Sequence, residues 1–199
     1  MLNFVGQKLT STMKKVFLSL SALALGLAVN AQTVHTENWP NGNKKIEGVL
    51  LGDAKVDASD SKETRATKMN NVAKDGKWNT WFENGTVRSE EFYKSGAMVG
   101  AWKVWYENGQ LESDVNFTTG KAVYYFKNGS KNSEGTIANG MVHKGLWTGY
   151  YENGMKNYEG SYNEEGVKVG VWKWFDEKGA ETTEQTYTNG TLTNTKNLK

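Results

Sequence analysis

The side chains that most often perform catalysis or bind metals are scarce in this 199-residue chain. It has no cysteine and two histidines, His35 and His143, which fall at different positions of the repeat described below. A metal site needs a convergent ligand cluster, usually with histidine or cysteine, and a nucleophile needs a base beside it. There is no G-x-S-x-G turn and no serine near a suitably placed histidine. The sequence therefore predicts no catalytic residue, no metal ligand and no cofactor.

Carboxylates leave two further possibilities. The first is a hard-cation site in one polar segment, built from Asp53, Asp57, Asp60 and Glu63. Their spacing matches no known cation-binding loop, and the composition favours a solvated linker. The second is a glycosidase pair made by Glu134 and Glu159 on successive repeats. Such a pair needs one acid with a raised pKa, whereas here the same acid recurs in the same surroundings. We therefore expect a protein that is not an enzyme.

An aromatic tract that ends in a tight turn recurs five times. The copies are WNTWFENG (78–85), WKVWYENG (102–109), AVYYFKNG (122–129), WTGYYENG (147–154) and WKWFDEKG (172–179). Their closing glycines are 24, 20, 25 and 25 residues apart, and a weaker copy, HTENWPNG, ends at Gly42. A period of this length indicates a repeat architecture. Repeat arrays usually present a surface rather than a catalytic pocket.

Each copy predicts a β-hairpin. Asn-Gly between aromatic and β-prone residues is a strong hairpin signal, and it predicts a type I′ turn with positive φ at both residues. Pairing the residues that flank the turn sets Glu83 opposite Thr86 and Asn79 opposite Glu90. The same pairing sets Lys103 opposite Asp114 and Lys173 opposite Glu184. We interpret the acid five residues after each closing glycine as register control, since opposite charges stabilise a strand pair by about 0.2–1 kcal/mol.

Strand alternation separates two rows of aromatic residues. The positions seven and three before the closing glycine share one face of the sheet. The position four before it builds a second ladder on the other face, and this ladder is the candidate interaction surface: Trp81, Trp105, Tyr125, Tyr150 and Phe175. A single-layer sheet cannot bury both faces completely. One row is expected to form the spine of the array, and the other to be partly exposed or enclosed by a curl of the sheet.

The form Y-x-N-G, a downstream acid or glycine, an aromatic and then G-x-W is similar to MORN repeats, and most similar to the bacterial YwqK-type variant found in antitoxin-like proteins. Trp102 to Tyr106, Asn108-Gly109 and the run from Glu159 to Trp172 carry the resemblance, which covers residues 35–50 and 77–190. It implies an all-β fold, an elongated twisted antiparallel sheet of stacked hairpins. It also implies a binding or scaffolding role without chemistry, and it supplies no functional residue to transfer.

The N-terminus resembles a secretory signal peptide. Met13-Lys14-Lys15 precedes an apolar run from Val16 to Val29 and a small-residue site, Val29-Asn30-Ala31. We expect translation from Met13, cleavage after Ala31, and export through the Sec pathway to the periplasm or the exterior. A retained membrane anchor is the alternative, but the run is short for a stable span.

Composition limits the partners. The 168 residues after Ala31 carry 21 basic and 22 acidic residues, a net charge of −1, because the leader contains three of the 24 basic residues. This near-neutral balance excludes the electrostatic footprint of a nucleic-acid binder and argues against strong binding to anionic membranes. The same segment contains all eight tryptophans, all nine tyrosines and five of the seven phenylalanines. Without disulfides, packing of these rings must stabilise the fold.

The sequence thus predicts five segments: a signal peptide (1–31), a divergent first repeat (32–52), a mobile polar insertion loop (53–76), the repeat array (77–190) and a polar C-terminal tail (191–199), half of a capping hairpin. The favoured function is a secreted or periplasmic scaffold that binds another protein. The alternatives are cell-wall or glycan binding through the aromatic ladder, membrane-surface association, and an antitoxin-like role suggested by the family label alone. An open array also has two free edges, which allow an edge-to-edge homodimer.

Overall fold

The computed structural model describes residues 32–52, 59, 61–64 and 72–198. The predicted leader and most of the insertion lie outside these residues. Within the described ranges, fourteen strands form one twisted, open antiparallel sheet, and their order in the sheet follows the chain, except that β5 pairs with β4 alone. No helix in the described part of the chain is long and apolar enough to cross a membrane. The predicted all-β fold of stacked hairpins is confirmed.

The strands are β1 (Gln32–Asn38), β2 (Lys44–Leu51), β3 (Ala73–Trp81), β4 (Val87–Lys94), β5 (Ala97–Met98), β6 (Ala101–Trp105), β7 (Leu111–Asn116), β8 (Lys121–Tyr125), β9 (Lys131–Ala138), β10 (Val142–Tyr150), β11 (Lys156–Tyr162), β12 (Lys168–Phe175), β13 (Glu181–Thr188) and β14 (Thr191–Asn197). The described residues also include two short helical turns, at 62–64 and at Asn139–Met141.

Two segment boundaries differ from the sequence analysis. Because β3 begins at Ala73, residues 73–76 belong to the sheet and not to the insertion. The C-terminal segment forms strand β14, which pairs with β13 as the expected half of a terminal hairpin. Every side chain of β14 is exposed, and its polar composition suits a strand that ends an array.

The hairpin turns correct the prediction of type I′. The six closing glycines have φ of 83° to 90°, but the residues before them, five asparagines and Lys178, are absent from the described non-glycine residues with positive φ. Gly85 N donates to Phe82 O and Phe82 N to Thr86 O, so the loop has three residues and a left-handed glycine. Phe82, and not Glu83, therefore lies opposite Thr86. The asparagine is used differently: Asn84 Oδ1 accepts from Thr86 N at 2.9 Å.

A one-residue bulge then restores the predicted register. In the first strong copy Trp81 pairs with Val87 but Thr80 pairs with Ser89, so no residue of β3 lies opposite Arg88. The same shift occurs in all six hairpins. Beyond it, the predicted pairs are confirmed: Asn79 with Glu90, Lys103 with Asp114 and Lys173 with Glu184.

A second glycine kinks the strand at which each hairpin meets its predecessor. Nine residues before the closing glycine, Gly76, Gly100, Gly145 and Gly170 have φ of 63° to 68°. The pairing with the preceding hairpin shifts register around Gly76, Gly145 and Gly170. Left-handed glycines at bulges bend a strand and re-aim its side chains. The glycine of the G-x-W pattern therefore aims the tryptophan two residues later at the neighbouring hairpin.

Most of the core lies on one face of the sheet, here named the Trp face because it carries the tryptophans seven residues before the closing glycine. Val123, which pairs with Asp114 and Glu134, is buried on the other face. Trp78, Trp147 and Trp172 are 1–2% exposed. Each indole lies on a glycine of the preceding hairpin: a Cβ on Gly48, Gly135 or Gly160 would stand 2.1–2.4 Å from the ring. Each Nε1 donates to the backbone carbonyl that follows that glycine, at 2.9–3.2 Å. This glycine–tryptophan contact joins hairpin to hairpin.

The two copies that break this pattern show why it exists. Ala122 replaces the third tryptophan, and Val115 stands where the glycine would be. The smaller side chain is thus on the tryptophan's strand and the larger one on the glycine's strand. Glu91 occupies the glycine position before Trp102, and Trp102 Nε1 is the described buried side-chain atom that lacks a hydrogen-bond partner. The equivalent acceptor, Phe92 O, already accepts from Val99 N. A side chain at the glycine position therefore displaces the indole from its acceptor.

His143 packs against this core. It lies in β10 and stacks on Trp147 with ring centroids 3.7 Å apart, and its ring edge meets Tyr162 at 5.1 Å. Burial lowers the pKa of His143, because desolvation disfavours the imidazolium. His35, which aligns with the tryptophan position, stacks on Trp78 at 5.8 Å. Both histidines thus pack against the Trp face.

We expect His143 to make the fold less stable in mild acid. Its pKa is lower in the folded than in the unfolded chain, where it lies near 6.5, so the unfolded state takes up the proton first. Stability is then lost as the pH falls through the unfolded value towards the folded one. Denaturant unfolding between about pH 7 and pH 5 should show a smaller loss for His143→Gln than for the wild type. His35→Gln is the control, and equal losses for the wild type and His143→Gln would contradict the prediction.

Candidate functional site

The face opposite the Trp face, here named the ladder face, carries the predicted interaction residues. Trp81, Trp105, Tyr125, Tyr150 and Phe175 are all half-buried. They lie on every second strand of the sheet, so successive rings are about 10 Å apart. The structure therefore brings the five residues into one row on a partly exposed surface.

Lysines from the preceding hairpin lie over three of these rings. Lys44 Nζ is 5.6 Å from the ring centre of Trp81, Lys131 Nζ is 5.4 Å from that of Tyr150, and Lys156 Nζ is 5.4 Å from that of Phe175. Cation–π contacts of this kind stabilise by about 0.5–1 kcal/mol at exposed sites. The same lysines pair with the recurrent acids Glu47, Glu134 and Glu159. Cation, carboxylate and ring thus alternate along the ladder face.

These ion pairs decide against a glycosidase pair. Glu134 and Glu159 both lie opposite Thr148, on its two sides, so a strand separates them. Hydrogen bonds from Lys131 and from Tyr150 Oη, the latter at 2.7 Å, hold the pKa of Glu134 below its ordinary value. A general acid needs the opposite shift. Burial, with the adjacent Glu134 carboxylate, raises the pKa of Tyr150 to about 12.

Large apolar side chains are also exposed on the ladder face, and the sequence analysis missed them. Val34, Leu146, Val171 and Phe92 are 70%, 59%, 51% and 38% exposed. Leu146 and Val171 stand eight residues before the closing glycines of the last two copies, where they pair with Ser161 and Thr186. An apolar residue at this position of the repeat is the sequence signal that could have identified them. Together with the ladder rings, these residues form a mixed apolar and charged surface.

The edge of the sheet at the closing-glycine turns has its own contacts between copies. Tyr106 and Tyr151 Oη each donate at 2.8 Å to the carbonyl of the next copy's ladder residue, Tyr125 and Phe175. Asn108 and Asn153 Nδ2 each donate at 3.0 Å to a turn carbonyl of the next copy. The positions of these side chains are therefore fixed by the neighbouring hairpin.

A metal centre finds no support in the described ranges, where no group of three or more histidines, cysteines or acids is arranged to hold an ion. Of the acids in the polar segment, Asp53, Asp57 and Asp60 lie outside those ranges, and Glu63 lies in the helical turn at 62–64.

Three hairpins of this sheet match a known family of repeats. The segments 74–95, 98–119 and 144–164 correspond to the hairpins β3–β4, β6–β7 and β10–β11. They match the MORN repeat variant. MORN repeats are a non-enzymatic repeat type associated with protein or membrane interaction. The hairpins β8–β9 and β12–β13 share the turns and bulges of the matched MORN segments. No curated protein matches the chain, and the narrower resemblance to the YwqK type stays a prediction.

Proposed function

We propose that this protein is an exported, non-enzymatic scaffold that binds another protein through the ladder face. The observation that carries the proposal is the contrast between the two faces. The Trp face buries the tryptophans, whereas the ladder face exposes Val34, Leu146 and Val171 by half or more. Exposed apolar side chains among polar groups are typical of protein interfaces. Export rests on the predicted leader.

The test is capture of a partner from a cell-envelope extract by immobilised protein 32–199. The variant Leu146→Ser/Val171→Ser removes exposed apolar side chains from two neighbouring hairpins of the ladder face. We expect it to lower capture of the partner about tenfold or more, since both side chains lose apolar area that the partner would bury. The matched control is Met98→Ser/Leu192→Ser, which changes two exposed residues opposite Tyr93 and Tyr187. Equal capture by both variants would overturn the proposal.

Glycan binding is the second candidate, and one observation favours it. Successive half-buried rings about 10 Å apart match the periodic stacking that a polysaccharide needs. The lysines over Trp81, Tyr150 and Phe175 occupy the space above those rings, which favours a protein partner. Protection of tryptophan fluorescence from iodide by a cell-wall polysaccharide would reverse this order.

A further inference from the structure

A cavity of about 390 Å³ opens at the turn edge, lined by residues of the third, fourth and last strong copies of the repeat. We name it the turn-edge pocket. Its walls include Phe126, Tyr150, Tyr151, Glu152, Asn153 and Glu177. Three aromatic residues and two carboxylates thus surround one opening. This combination suits a cation, because aromatic faces and carboxylates both attract positive charge.

The pocket residues are held in place before any ligand arrives. Tyr150 Oη donates to Glu134 at 2.7 Å, and Tyr151 Oη donates to the carbonyl of Phe175 at 2.8 Å. Asn153 Nδ2 donates to the carbonyl of Glu177 at 3.0 Å, which ties two turns together. Pre-organised groups lose less entropy when a ligand binds.

Of the three pocket rings, Tyr150 already has Lys131 Nζ 5.4 Å from its ring centre. At two other places along this edge the chain also supplies the cation itself. Lys127, two residues before its closing glycine, places Nζ 5.8 Å from the ring centre of Tyr106 in the preceding copy. The guanidinium of Arg88 lies 5.8 Å from the ring centre of Phe82. In the next two copies Glu152 and Glu177 stand at the position of Lys127. The repeat therefore places carboxylates beside Phe126 and Tyr151, where it places an ammonium beside Tyr106.

The two carboxylates are available to a partner. Glu152 and Glu177 are exposed, and no lysine or arginine of the described chain forms an ion pair with either. Glu152 accepts one long hydrogen bond, from Asn128 Nδ2 at 3.4 Å. We propose that the turn-edge pocket binds a lysine or arginine side chain from a basic segment of the partner protein. The inference rests on the proposed scaffold function and gives the partner's chemistry.

The experiment uses peptides, so that its result does not depend on the capture assay. The probe is a tetralysine peptide with blocked ends, titrated into protein 32–199 and followed by calorimetry. The uncharged comparison is a peptide in which norleucine replaces each lysine, so that the alkyl stems are the same and the charge is absent. Terminal glycine–serine repeats keep this peptide soluble. We expect the lysine peptide to bind and the uncharged peptide to bind at least tenfold more weakly. Equal affinity of the two would overturn the proposal.

Variants at one repeat position locate the site. Glu152→Gln/Glu177→Gln should weaken lysine-peptide binding about tenfold, equivalent to about 1.4 kcal/mol. The matched control is Glu83→Gln/Glu107→Gln, at the same position of two earlier copies and outside the pocket. It should change the affinity less than twofold. Equal weakening by both pairs would indicate unspecific attraction to acids and would overturn the pocket.

A third variant separates the two proposals. Leu146→Ser/Val171→Ser should leave binding of the lysine peptide unchanged, because neither residue lines the pocket. Loss of peptide binding in this variant would contradict the pocket as a site of its own. If the peptide does not bind to the wild type while the ladder-face variant still loses its partner, the pocket fails and the scaffold function stands.

Discussion

Replacing Trp147 by alanine is expected to lower the free energy of unfolding by about 3–5 kcal/mol, the range for a buried tryptophan. The side chain is 1% exposed and lies on Gly135. It stacks on His143 at 3.7 Å and donates a hydrogen bond to Thr136 O. All of these contacts are lost together. Guanidinium unfolding followed by circular dichroism measures the change, and the melting temperature should fall by roughly 6–20 °C.

The matched control for this substitution is Trp105→Ala on the ladder face. Trp105 is half-buried, so less apolar area is exposed and the expected loss is about 1–2 kcal/mol. Because each repeat contacts only its neighbours, hydrogen exchange in the Trp147 variant should speed up first in β9 to β11. Equal losses for the two variants would contradict the assignment of the core to the Trp face.

A single methyl group at Gly160 is expected to have an effect of similar size. A Cβ there would lie 2.1 Å from Cδ2 of Trp172, so the indole must move or the strands must separate. Overpacking costs about 1–3 kcal/mol and occasionally more, and the shift also breaks the hydrogen bond from Trp172 Nε1 to Ser161 O. We expect Gly160→Ala to lose about 3 kcal/mol or more. The measurement is the same denaturant unfolding.

Ser161→Ala is the matched control for Gly160→Ala, since it introduces the same residue one position further along β11. Its side chain is half-buried on the ladder face, and its carbonyl remains available to Trp172. We expect a change below about 1 kcal/mol. A loss below that value for Gly160→Ala as well would show that the glycine–tryptophan contact does not hold the hairpins together.

The local features of this fold were predictable because they depend on neighbours in sequence. Asn-Gly after an aromatic pair fixes where each chain reversal occurs, and alternation then separates Trp78 from Trp81. The pairs Asn79–Glu90 and Lys103–Asp114 followed from this reasoning and are confirmed. The type of turn did not follow, because a type I′ turn and a three-residue loop with a bulge give the same register beyond Thr80.

The candidate site was predictable only in part. The alternation placed the five ladder rings on one face, but their exposure depends on residues of the preceding hairpin, such as Lys131 over Tyr150. The turn-edge pocket combines Phe126, Tyr151 and Glu177 from three copies. Side chains from different copies meet only through the register between hairpins, and the kinks at Gly145 and Gly170 shift that register.

The sequence by itself determined the repeat, the hairpins, the strand register beyond the bulge and the two faces of the sheet, because each of these depends on a few consecutive residues. Only the tertiary structure decided which face is the core. Trp147 and Tyr150 are comparable rings three residues apart, yet one is buried and the other is not. The physical reason is that Gly135, in the preceding hairpin, leaves room for one indole, and no local pattern identifies that contact.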